Sequence, residues 1–196
     1  MEGYADPLET VLEGPFGNHT GFYAPPAPAA LVRVTAISHR ADAIIPATLV
    51  GPPPMEDCRM AGAWERLLLA LLKRLAPPVA EIRFPLEWVF HQSAIISLEN
   101  PNPSMVREIA EVLWHTPWFG AARLLVFVNA DTGPVDLSRA AWRGINLADD
   151  GLDLIHDESG ARVALDATGS RHSRPPVAMD GAIAEQVARR WREYGF

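Results

Sequence analysis

The hydrophobic pattern changes period twice along the chain. Leu31–Ser38 (LVRVTAIS) alternates apolar with small or polar residues and is rich in β-branched types, which predicts a strand. Ala43–Val50 (AIIPATLV) predicts a second, with Pro46 confining it to a sheet edge or a bulge, and HRAD between them is hairpin-sized. Two strands do not make a stable isolated sheet, so the N-terminal fifth reads as incomplete β-structure. From Glu56 to Leu75 the period becomes helical. Met60, Trp64, Leu67, Leu68, Leu71, Leu72 and Leu75 form one broad apolar stripe. Lys73 and Arg74 suit the C-terminal end of the helix dipole, and Pro77 and Pro78 stop the helix.

Beyond the prolines, strands and helices alternate. Val79–Phe84 and Ser93–Leu98 predict strands. NPNPS then leads into a helix over Met105–His115, with Ser104 as its N-cap. Ala122–Val128 (ARLLVFV) is a continuous apolar run, as expected of a strand buried on both faces. This order predicts a right-handed βαβ unit. Leu137–Ile145 predicts a short helix and Arg162–Leu165 a strand. Met179–Tyr194 predicts a closing helix with Asp180 as N-cap and Ile183, Val187 and Trp191 on one face. The fold class expected is α/β. Prolines at 25, 26 and 28, at 52–54, at 77–78 and at 175–176 punctuate these elements.

Composition narrows the function classes. A chain of 196 residues suits one large domain or one and a half small ones, and its net charge of −7 argues against nucleic acid, whose phosphates need a basic face. One cysteine, Cys58, excludes an intramolecular disulfide and points to a reducing cytosol, so a cytoplasmic protein is expected. No basic n-region followed by an apolar run opens the chain, so no signal peptide is expected. The longest apolar run, Leu67–Leu72, is far too short to span a bilayer.

The chemistry concentrates in EGPFGNHTGFY, Glu13–Tyr23. Glu13 and His19 are its only acid and base. Burial of Glu13 would raise its pKa and suit it to general acid–base work; equally, GPFGN makes a turn with Gly17 and Asn18 at positive φ. His39 reads as a polar residue at a hairpin end. His156 and Asp157, with Asp149, Asp150 and Asp153, match no metal-ligand spacing and read as a solvated acidic loop. Cys58 has no CxxC partner, and no metal site is expected on this chain. Asp166-Ala167-Thr168 after a strand suits a turn bonding its own backbone. GxGxxG and Walker A patterns are both missing from the sequence.

Taken in order, LEGPFGNHTGFY, ISHRADAIIPATLVGPPPMED, strand–helix–strand and LDATG resemble the UbiD family of prenylated-flavin-dependent (de)carboxylases, some of which serve ubiquinone and menaquinone biosynthesis. The resemblance runs from about Glu2 to the C-terminus, and GNHTGFY looks most like the menaquinone-type branch. It implies residues 1–55 as the terminal strands of a split β-barrel flavin domain, 56–76 as a linker helix and 77–196 as a dimerising α/β domain. It implies decarboxylation of an aromatic or α,β-unsaturated carboxylic acid by prenylated FMN, held with Mn²⁺ and K⁺. Glu13 matches the glutamate that pairs with an arginine near the flavin. Asn18 stands where many members carry a proton-shuttling acid, and an amide cannot shuttle that proton; His19 or water is left as donor. Ile44, Ile45, Leu125 and Phe127 match the pocket wall.

The family's metal ligands, phosphate contacts and partner arginine lie in an N-terminal region with no counterpart in these residues. A truncation, a split subunit and a degenerate relative all fit that difference. Two functions follow: the C-terminal part or small subunit of a decarboxylase completed by a separate flavin-domain subunit, or a non-catalytic assembly module. The chain alone is expected to hold no flavin. A homodimer or higher oligomer is expected, because the resemblance implies it and because open strand edges tend to be covered.

Overall fold

The computed structural model describes residues 1–88, 90–130, 136–149, 151–171 and 177–195. Asp150 and the Pro175–Pro176 pair lie outside them. The chain is α/β, with a β-ribbon ahead of an α/β domain, and among the described residues its strands close no barrel.

The ribbon pairs β1 (Glu2–Glu13) antiparallel with β4 (Ala27–Ala36). Between them β2 (Phe16–Gly17) and β3 (Tyr23–Ala24) form a small antiparallel bridge. The ladder of β1 breaks between Ala5 and Thr10, where Pro7 has no N–H to give and Leu8 N–H turns to the Asp6 carboxylate. Almost every residue of β1 and β4 is exposed, so the sequence there shows no one-sided apolar alternation. The expected pairing of Leu31–Ser38 with Ala43–Val50 does not form. The first strand starts earlier and pairs backwards with Glu2–Glu13, while 37–56 carries no helix or strand. Ala43–Val50 is exposed throughout, with no sheet edge beside it, and β-propensity without a surface to pack on makes no strand. HRAD is held instead by an Arg40–Asp42 ion pair, and His39 bonds the Arg40 carbonyl.

Helix α1 (Asp57–Leu75) buries Ala61, Leu68 and Leu72, and its Glu65 accepts from Phe84 N–H and Arg83 at the end of β5 (Val79–Arg83). β6 (Ser93–Leu98) is buried along its whole length. It runs through α2 (Met105–Trp114) to β7 (Leu124–Asn129), which lies parallel to it in unbroken register from Ser93↔Leu124 to Leu98↔Asn129. This is the expected βαβ unit. Ser104 occupies the N-cap position but makes no side-chain cap; the Asn102 carbonyl accepts from Ser104 and Met105 N–H in its place.

α3 (Leu137–Leu147) follows, capped by Asp136, which accepts from Arg139 N–H. β8 (Leu154–His156) and β9 (Val163–Asp166) complete a sheet of order β5-β6-β7-β9-β8, parallel at its centre and antiparallel at both edges. The helices α1 and α2 cover one face with the larger core, while Ala140 of α3 joins Ile95, Val126 and Val128 on the other. Such two-sided cover is why β6 and β7 read as unbroken apolar runs. The closing segment splits into α4 (Gly181–Arg189), capped by Asp180 as expected, and a 3₁₀ turn over Trp191–Tyr194. α4 buries no residue, and Ile183 on it is half exposed.

The acidic loop is not simply solvated. Asp153 is buried and pairs with Arg171 at 2.9 Å, and Leu154–His156 is a strand. Arg162 bonds the Asp157 carboxylate at 2.8 Å, reaches the Trp114 carbonyl at 3.1 Å and lies over the Trp114 ring, tying the β8–β9 turn to α2. The Ser159 hydroxyl bond holds the Asp157 carboxyl well below its usual range; partial desolvation opposes this, and the Arg162 N–H and guanidinium reinforce it. A carboxyl with a depressed folded pKa adds stability that is full above its unfolded pKa and fades as pH falls towards the folded one. The stability gap between wild type and Asp157→Asn is therefore expected to be widest near neutrality and to narrow below about pH 4. Thermal melts across that range check it.

Candidate functional site

The motif Glu13–Tyr23 is the tip of the ribbon. Glu13 is the last residue of β1, opposite Ala27, with its side chain exposed. Positive φ falls at Gly14 (106°) and Gly21 (80°), not at Gly17 or Asn18 as the sequence suggested. Gly14 also lies against Pro26, where a Cβ would meet its Cα at 3.1 Å. Between β2 and β3 the loop caps itself. The Asn18 side-chain carbonyl accepts from Thr20 N–H at 2.9 Å and from the Thr20 hydroxyl, and Gly21 N–H donates to the Asn18 backbone carbonyl at 3.1 Å. Asn18 is thus an Asx-turn residue in the position of the expected acid. A carboxylate could accept the same two bonds, so the turn does not require the amide.

His19 docks this loop on the α/β domain. Its ring lies 4.1 Å from that of His91 and 5.4 Å from that of Phe90, and Phe90 stands edge-on to His91 at 4.7 Å. The Nε2 atom of His19 is buried without a hydrogen bond to any described residue. Gly21 packs on Pro52, which brings the start of GPPPMED against the loop. His91 is exposed, yet partial burial and then His19 lower its pKa, with Asp57 pulling the other way. The sequence reading missed His91; its signal was a lone imidazole directly before the buried strand β6.

A cavity of about 340 Å³ opens beside these rings, walled by Asp57, Met60, Trp64, Phe90, His91 and Trp118. A larger depression, about 780 Å³, runs between α1 and β5 over Glu65 and Arg83, but none of the expected site residues lines it.

The other expected residues are not gathered into one pocket. Ile44 is 93% and Ile45 84% exposed, on the stretch without secondary structure. Leu125 and Phe127 are both fully enclosed and share one face of β7, within the larger core. LDATG ends β9 in the expected self-bonded turn. Asp166 accepts from Thr168 N–H at 3.0 Å, and Arg143 of α3 grips the Ala167 and Thr168 carbonyls.

Residues 58–181 match the 3-octaprenyl-4-hydroxybenzoate carboxy-lyase C-terminal domain, and residues 1–53 match the Rift-related domain of the same family. The chain belongs to the UbiD family. Among its UbiD-like relatives, an uncharacterised protein of Archaeoglobus fulgidus is 32% identical over 196 residues, all of this chain and 40% of its own length. One of Helicobacter pylori is 36% identical over 183 residues, 93% of this chain and 29% of its own. The chain therefore spans well under half the length of these curated relatives.

Among solved structures, vanillic acid decarboxylase of Sedimentibacter hydroxybenzoicus in closed form superposes with a TM-score of 0.83 at 20% identity, over 98% of this chain and 44% of that one. Its open form gives 0.69. The UbiD-class enzyme HmfF of Pelotomaculum thermopropionicum, in an evolved dimeric form with prFMN, gives 0.71 at 21% identity over 95% of this chain and 43% of that one. These likenesses establish the fold.

Glu13, Ile44 and Ile45 are free to face a ligand, but among the described residues no group of three His, Cys, Asp or Glu side chains could hold a metal ion. No described helix is long and apolar enough to cross a membrane.

Proposed function

We propose that this chain is the C-terminal part, or small subunit, of a UbiD-type non-oxidative decarboxylase acting on an aromatic or unsaturated carboxylic acid, of the kind met in quinone biosynthesis, in the cytoplasm. A separate flavin-binding region completes it. The observation that carries this reading is the ribbon tip. Glu13 is held at a strand end on a self-capped loop, docked against the α/β domain yet open on its other side. Residues 1–55 then serve as the end of the flavin domain, 56–76 as linker and 77–196 as the dimerising domain. Prenylated FMN, with Mn²⁺ and K⁺, supplies the electron sink for loss of CO₂ when bound. Glu13 sets a negative charge at the flavin edge and pairs there with an arginine from the completing region. Ile44 and Ile45 supply apolar wall, and Leu125 and Phe127 back it from the domain core. Asn18 fixes the loop, and His19, its titratable neighbour, passes the proton directly or through water.

The test mixes this chain with a UbiD-type flavin-domain polypeptide, loads prenylated FMN and Mn²⁺, and measures CO₂ release from a panel of aromatic acids. Release that needs both chains supports the proposal. A well-formed complex that releases none supports the second reading, a non-catalytic assembly module, which the Asn18 amide favours.

A homodimer is part of the proposal. Met60, Trp64, Leu67, Leu71 and Leu75 line an exposed apolar face of α1, and Ile183 and Trp191 are half exposed at the C-terminal end. Light scattering is expected to give twice the chain mass; a strictly monomeric profile would count against it.

A further inference from the structure

The ring cluster at the ribbon tip does more than fill space. Both imidazoles come from segments that share no secondary structure: His19 from the β2–β3 loop and His91 from the approach to β6. At 4.1 Å and 61° between planes they meet edge to face, with Phe90 closing the third side. The titratable groups bearing on His91 are His19, from the loop, and Asp57, from the first turn of α1. At His91 burial and the His19 ring oppose a proton, while the Asp57 carboxylate favours it. Two cations at ring contact repel strongly where one side is shielded from water.

We propose that His91 is a positioning residue for the NHTGF loop: with Phe90 its neutral ring seats His19, and through it the Asn18–Gly21 turn, and it releases them as the His91 ring becomes charged. The inference rests on the reading of Glu13–Tyr23 as a site wall only for its consequence in catalysis; the docking itself stands on ring geometry. Docking lowers the pKa of a base here, so it is full above the ordinary histidine value of about 6.5 and weakens as pH falls through it.

Hydrogen exchange on the chain itself reads this without any cofactor. Protection of the Gly21 amide, which donates to the Asn18 carbonyl, is to be measured against pH after correction for intrinsic exchange rates. Wild type is expected to lose protection about tenfold or more below about pH 6. His91→Gln, which keeps a planar polar side chain but cannot become charged, is expected to stay protected through the same range. His91→Ala, which removes the ring contact, is expected to lose protection at every pH. In His19→Gln the His91 imidazole, followed by ¹⁵N NMR, is expected to titrate at higher pH.

A pH-independent wild-type profile would overturn the proposal. So would equal loss in both His91 variants at all pH, because that is what a merely structural ring gives. In the completed enzyme, His91→Gln is expected to extend activity to lower pH. If the exchange results hold and no activity is found, the site reading fails and the docking inference survives.

Discussion

In the completed enzyme, Glu13→Ala is expected to lower decarboxylation by about 10²- to 10³-fold, the range for loss of one preorganised electrostatic group. The fold is expected to survive unchanged. Glu13 joins the ribbon through its backbone alone, opposite Ala27, and among the described residues its exposed carboxylate makes no ion pair. Glu13→Gln separates the causes further: it keeps the shape and loses the charge, so a similar drop assigns the effect to the carboxylate. CO₂ release at saturating substrate, beside a thermal melt of each variant, is the measurement. A rate equal to wild type in Glu13→Ala would remove Glu13 from the mechanism.

Phe127→Ala is expected to destabilise the α/β domain by about 3–5 kcal/mol. Its ring is wholly enclosed between β6 and β9, beside Ile96 and Asp166 in register, and under the helices of the larger core. A sheet strand in parallel register on both sides cannot slide to refill the space, so the site collapses little. A conservative change to leucine is expected to cost much less, since volume is largely kept. Urea unfolding of the isolated chain reads both. A loss below about 1 kcal/mol for the alanine variant would show that the ring is not core, and would move it towards the pocket wall that the family resemblance implies.

The α/β domain was legible because its chemistry is local or two-sided. Ser93–Leu98 is apolar without interruption and is buried without interruption. The α1 stripe is found as a helix from Asp57, with Lys73 and Arg74 in its last turn. The ribbon was not legible for the opposite reason. Glu2–Glu13 buries nothing, so no face of it was selected to be apolar, and Pro7 breaks what alternation remains. Ala43–Val50 carries the composition of a strand without a neighbour to pair with.

The site divides in the same way. Asp166 and Asp180 act within two or three residues of themselves, and their turns could be read from text. His91 acts on a residue more than seventy positions away, and only the three-dimensional fold brings it to His19. Asp153 was misjudged because its partner, Arg171, lies beyond two intervening strands.

The larger core draws on residues 61–164 and the smaller one ends at Ala167, whereas 37–56 runs over the surface with no helix or strand. For a gene this makes a seam. A break, fusion or insertion placed within 37–50, ahead of Met55, which packs on the larger core, severs no core contact, and exposed irregular stretches are where chains tolerate such changes. Evolution can hand the two sides of that seam to different polypeptides, or rejoin them, at little cost in folding, and selection is then left to act on the few ring contacts that bring them back together.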